Sequence, residues 1–159
     1  AKLVQEPNAD VKKIRVLYDE NEDKRQQLKT AMESDNKEQV KKIADSVVLI
    51  INEGFDFGKS AVDKIQQAED MKNKDDYKEY LRLKESALMK QMEAFEQYRQ
   101  AARTLRDNYD PKNTQLRDKV KADFDTRSDN YQKLMETSRN FSNQANELYK
   151  DTLRRQQQQ

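Results

Sequence analysis

The chain contains no cysteine and no histidine. Without cysteine there is no disulfide, no thiol nucleophile and no thiolate ligand; without histidine the commonest general base and metal ligand are gone too. The Glu-x-x-His pairs on which di-iron helical bundles rely are excluded by the same absence. No metal site and no cofactor is therefore expected. Glycine and proline number two each in 159 residues, too few for the turns a sheet protein needs. Long apolar runs are missing as well. The run from Val47 to Ile51 falls far short of a membrane span.

Nor does either sign of charge dominate, with 31 basic against 30 acidic residues and a net charge of +1. A nucleic-acid binder would show a basic excess, so nucleic acid is not an expected partner. The signs alternate along the chain, as in "NEDKRQQ" and "RDKVKADFD", a pattern of solvated helix faces with intrahelical ion pairs.

What is present favours helix. Charged residues make up 38% and apolar ones 34%, which cannot fill a thick core but can furnish a stripe on each of several slender helices. Four segments carry such a stripe, over about 9–33, 36–70, 74–108 and 111–155. The first shows Val11, Ile14, Leu17, Tyr18, Leu28 and Met32, with Pro7-Asn8 or Asp10 as its start. In the second, Asp35 followed by Glu38 reads as a capping box. The third has Asn73 or Asp76 as its cap and a heptad seam from Tyr77 to Tyr109 that includes Lys84 and Gln91. Pro111 suits the first turn of the fourth helix, with Asp110 as cap, and the polar end "RRQQQQ" should fray. Short connections make neighbours antiparallel. The expected fold is all-α: one elongated up-down-up-down bundle of four long helices with coiled-coil-like seams, spanning 1–159 as a single domain. The helices are unequal in length, so one end should thin to three helices or recruit something.

The stretch "GFDFGKS" (residues 54–60) resembles a phosphate-binding loop, since it follows an apolar run and ends in Lys59-Ser60. A Walker A loop needs four residues between its glycines, and Gly54 and Gly58 enclose only three. No second run reads as a buried strand. On a helical wheel, Gly54 and Gly58 fall within the stripe of Val47, Ala61 and Ile65, with Phe55 and Phe57 at its edges. The expectation is a helix with a packing notch at these four residues.

Polar residues interrupt the stripes. Asn21 and Arg25 should lie near the level of Asp123 and Arg127, forming a polar layer that sets helix register. Leu49 and Met89 point away from their seams and Leu83 sits at a margin, and all three are candidate partner contacts. Met32, Met92 and Met135 fit core faces, while the "NFS" sequon at Asn140 lies on a helix.

These features point to a non-enzymatic structural or scaffold protein that contacts other protein subunits, of its own kind or another, along a helical rod. A subunit of an envelope or extracellular assembly, such as a filament coat or sheath, suits the shape. The alternative is a helical chaperone or lipid-surface-binding protein, and contact with a membrane surface stays open. A chain that begins at Ala1 without Met and lacks Cys leans toward export, periplasmic or extracellular.

Overall fold

The computed structural model describes residues 2–69 and 75–158. It contains α1 (Lys2–Glu33), α2 (Lys37–Glu69), α3 (Asp75–Asn108) and α4 (Thr114–Gln157), with no strand among the described residues. The fold is an all-α bundle in which α1 packs on α2, α2 on α3 and α3 on α4. Pairing across the α2–α3 seam runs Asp45–Arg106, Asn52–Arg99, Gln66–Glu85, so these helices are antiparallel.

The core follows the stripes. From α2 it takes Val40, Ile43, Ala44, Val47, Ile51, Ala61 and Ile65. Along α3 the large residues Leu88, Phe95, Tyr98 and Leu105 are joined by a column of small ones, Ala87, Ala94 and Ala101, all buried. Small residues there let α4 approach closely, and Val120, Phe124 and Tyr131 fill the facing positions. Tyr98 stands 5.5 Å from Tyr131 and 6.1 Å from Phe124, ring centroid to centroid.

The α1–α2 turn closes as a Schellman motif. The Asn36 amide donates to the Ala31 carbonyl at 3.0 Å and the Asp35 amide to that of Met32 at 3.1 Å. Asp35 takes the left-handed position, φ 50°. It is therefore not the cap of α2. That role falls to Asn36, whose Oδ1 accepts from the Gln39 amide at 3.2 Å. The Asp35 carboxylate instead reaches the α3–α4 side of the same end. It accepts from Tyr109 Oη at 2.6 Å, from Arg117 at 3.0 Å and from Lys121 at 3.4 Å. The Tyr109 hydrogen bond, with the two cations, holds this carboxyl below its usual range.

Four expected boundaries are revised. α1 begins at Lys2 rather than near Ala9 and passes through Pro7, whose missing N–H forgoes a single ladder bond close to the helix start. Leu3 and Val4 thus belong to α1. The fourth helix is capped by Asn113, which accepts from the Leu116 amide, while Asp110 and Pro111 sit in the preceding turn. Its end does not fray after 155 but stays helical to Gln157, since glutamine is a good helix former. α3 starts at Asp75, so Asp76 is inside the helix. The alternative cap Asn73 lies outside the described residues, as does Met71.

Pairs across the seams set the relative levels of the helices at the uneven end. Gln66 bonding to Glu85 sets the end of α2 level with the third turn of α3. Asp10 bonding to Ser60 and Lys64 sets the third turn of α1 beside the last turns of α2. Beyond that level α1 runs on to Lys2 and α2 to Glu69, and α3 and α4 continue as well, α4 the furthest among the described residues. At 1.5 Å per residue α4 is about 66 Å long against about 48 Å for α1.

Candidate functional site

Residues 54–60 lie in the middle of α2, with both glycines buried. Gly54 faces α1, where an added Cβ would meet Leu17 Cδ1 at an ordinary 3.8 Å. Gly58 faces α3, and there a Cβ would stand 3.0 Å from Met92 Sδ and 3.1 Å from its Cγ. Each flanking ring carries a cation: Lys13 lies 4.8 Å from the Phe57 centroid, the Arg99 guanidinium 4.3 Å from that of Phe55. Lys59 is exposed and Ser60 donates to Asp10 at 3.0 Å. Lys64 reaches the same Asp10 oxygen at 2.9 Å, forming a largely buried α1–α2 pair. No phosphate cradle exists here, because the backbone N–H groups are spent in the helix ladder.

The four polar seam residues separate into two groups. Asn21 and Arg25 are 1% and 8% exposed. Arg25 lies 3.6 Å from Glu22, and Gln132 of α4, with its amide oxygen turned inward, accepts from both terminal guanidinium nitrogens at 3.1 Å. Asp123 and Arg127 instead pair with each other on α4 at 3.1 Å, and Arg127 turns to Gln97 and Gln100 of α3. Helical spacing placed all four on inner faces; it did not set which neighbour each would meet. Around Arg25, the Asn21 Oδ1, Arg25 Nε, Tyr98 Oη and Ser128 Oγ atoms are buried without a hydrogen-bond partner. Burial pushes the Tyr98 and Tyr131 phenols far up, so both stay neutral.

The seam between α1 and α4 is the loosest of the four. Tyr18 stacks on Tyr131 across it at 6.4 Å, and Tyr131 Oη approaches Glu22 at 3.5 Å. Toward the uneven end the two helices leave a cavity of about 470 Å³ walled by all four helices. Its floor is apolar, from Val11, Ile65, Leu81, Leu88 and Met135, with the Tyr18 and Tyr80 rings at the sides. Its rim carries Arg15, Lys84 and Arg139, with Asp19 as the one acidic residue among the described residues. Ser142, Asn143 and Asn146 add hydrogen-bonding groups from α4. Lys84 and Gln91 are the polar positions of the α3 seam, visible in the sequence. Nothing in the spacing showed that they would border an open space.

The outward apolar residues do not form one patch. Leu49 on α2 is 62% exposed and Met89 on α3 48% exposed, while Leu83 is half-buried. Asn52 pairs with Arg99, three turns of α3 away from Met89, so Leu49 and Met89 are separated by roughly 20 Å along the rod. Met89 shares a shallow hollow with Phe141. The sequence missed the tyrosine group at the uneven end: Tyr77 and Tyr80 centroids are 6.1 Å apart, Tyr80 and Tyr149 5.6 Å. Tyr149 is 51% exposed, with Leu153 also exposed one turn on.

Among the described residues no group of three or more carboxylates, cysteines or histidines is placed to hold a metal ion. No described helix is long and apolar enough to cross a membrane. Fold and surface together define an antiparallel four-helix rod with one open seam and one projecting end. No family model matches the chain, and no curated protein or solved structure is significantly similar to it.

Proposed function

We propose that the chain is a non-enzymatic scaffold protein that works by contacting other protein subunits along and at the end of its rod. The observation that carries this reading is the far end of α4, which presents the exposed Tyr149 and Leu153 beside Tyr77 and Tyr80 of α3. Half-exposed tyrosines with a neighbouring leucine give large contact area at low entropic cost, the composition of a protein interface centre. A subunit of an envelope or extracellular assembly, such as a filament coat or sheath, would use an end contact of this kind. The test is a photo-crosslinking side chain placed at Tyr149, and separately at Leu49, in cells that make the protein. A discrete protein adduct from position 149 that Leu153→Asp abolishes supports the reading. Equal adducts from both positions, or none from position 149, argue against it.

A second reading, a helical chaperone or lipid-surface binder, draws support from the loose α1–α4 seam, through which the helices would open. It requires flotation of the chain with liposomes or capture of an unfolded client. A scaffold ignores both.

A further inference from the structure

The cavity at the α1–α4 seam has a chemistry that the scaffold role does not use. Elsewhere in the bundle Arg82, Arg99, Arg106, Arg117 and Arg127 each pair with a carboxylate, while Lys59 and Arg103, without an ion pair among the described residues, are exposed to water. None of the three rim cations, Arg15, Lys84 and Arg139, is ion-paired among the described residues. Lys84 stands out because it is half-buried and its nearest described partner is the face of Tyr80, 5.7 Å away. Burial, and then the charge of Arg15, hold its ammonium below the usual lysine range. A desolvated cation facing a second cation over an apolar floor lacks an anion. Among the described residues the lining's one carboxylate is Asp19, an exposed residue of α1 that makes no ion pair with them.

We propose that this cavity binds one amphipathic small molecule, a medium-chain carboxylate with an apolar body of about ten carbons, its head set between Lys84 and Arg15. The volume suits it. At ~30 Å³ per water the space would hold about fifteen waters, comparable to a ligand of about a dozen non-hydrogen atoms with room for solvent at the rim. The tail lies on Ile65, Leu81, Leu88 and Met135, and Ser142 and Asn146 border the head. This proposal stands apart from the scaffold reading and survives its failure.

The experiment uses the full chain with anilinonaphthalene sulfonate as a fluorescent occupant, displaced by decanoate or by decanol below their aggregation concentrations. Decanoate should displace the probe at concentrations about tenfold lower than decanol, the preference expected of a charge-assisted contact. Lys84→Gln should remove most of that preference, and Arg15→Gln part of it. Lys90→Gln, an outer cation paired with Glu93, should leave it intact. Ser142→Phe, which narrows the cavity, should weaken both ligands. Circular dichroism confirms that each variant is folded, and the exposed Arg15 keeps the test open should Lys84→Gln misfold. Equal displacement by acid and alcohol would overturn the proposal. So would a preference that neither Lys84→Gln nor Arg15→Gln changes, or a probe that fails to bind.

Discussion

The two glycines of α2 are spaced one turn apart, yet the structure gives them opposite tolerance for a methyl group. Alanine at either position gains about 1 kcal/mol of helix propensity over glycine. At Gly54 the new Cβ meets Leu17 at 3.8 Å, an ordinary contact, so Gly54→Ala should keep that gain. For a domain of this size ~1 kcal/mol raises the melting temperature by about 2–4 °C. At Gly58 the Cβ would lie 3.0 Å from Met92 Sδ and 3.1 Å from Cγ, so Met92 must shift. Thioethers adapt, but Cγ is held near the α3 backbone, and overpacking of this kind costs about 1–3 kcal/mol. Gly58→Ala should therefore be neutral to destabilising, at least ~1 kcal/mol worse than Gly54→Ala. Removing the obstructing atoms with Met92→Ala should restore the gain, giving a coupling of about 1 kcal/mol in a double-mutant cycle. Urea and thermal denaturation followed by circular dichroism read all of these. If Gly58→Ala stabilises as much as Gly54→Ala, or the cycle shows no coupling, then the α2–α3 contact at Gly58 is not as described.

Three other expectations concern buried or paired charges. Asp10→Ala leaves Lys64 without its partner and Ser60 without its acceptor; because Lys64 is partly solvated, the cost should be about 1–2 kcal/mol by denaturation, partly recovered by adding Lys64→Met. Tyr109→Phe removes the strongest hydrogen bond to Asp35 and should lower the melting temperature at neutral pH. Asp35 has its folded pKa depressed, so the stabilisation is present above the unfolded carboxylate range near ~3.9 and lost as pH falls through the lower folded value. Variant and parent should then draw together in melting scans as pH falls through that lowered value. Lys84→Met should raise the melting temperature, because a cation disfavoured by burial is replaced by an apolar chain of similar length, even as decanoate preference is lost.

Much of the bundle is legible from periodicity. Val47, Gly54, Gly58, Ala61 and Ile65 share one face because helical spacing demands it, and the Leu81–Tyr109 seam keeps its heptads on the α2–α4 side. Local patterns failed where a distant group competed for the same side chain. Asp35 fits a capping box, but Asn36 directly follows it and can cap, which frees Asp35 for Tyr109 on the far hairpin. At the other turn Asp110 accepts from the Lys112 amide in a turn of its own and leaves the cap to Asn113. The projecting end depends on the offset of α3 against α2, which is set by three-dimensional packing and has no local signal. The cavity likewise arises where α1 and α4 part, so Lys84 and Gln91 read only as polar seam positions.

The central claim is that one chain closes its own apolar stripes into a rod with a single projecting end. Small-angle X-ray scattering with light scattering over a dilution series tests it most directly. A self-closed chain gives a mass near 18.9 kDa at the lowest concentrations and a rod whose longest dimension is close to the roughly 66 Å of α4 and its turn. A mass of two or more chains that persists on dilution, with a longer rod, would contradict it, because the stripes would then be shared between chains.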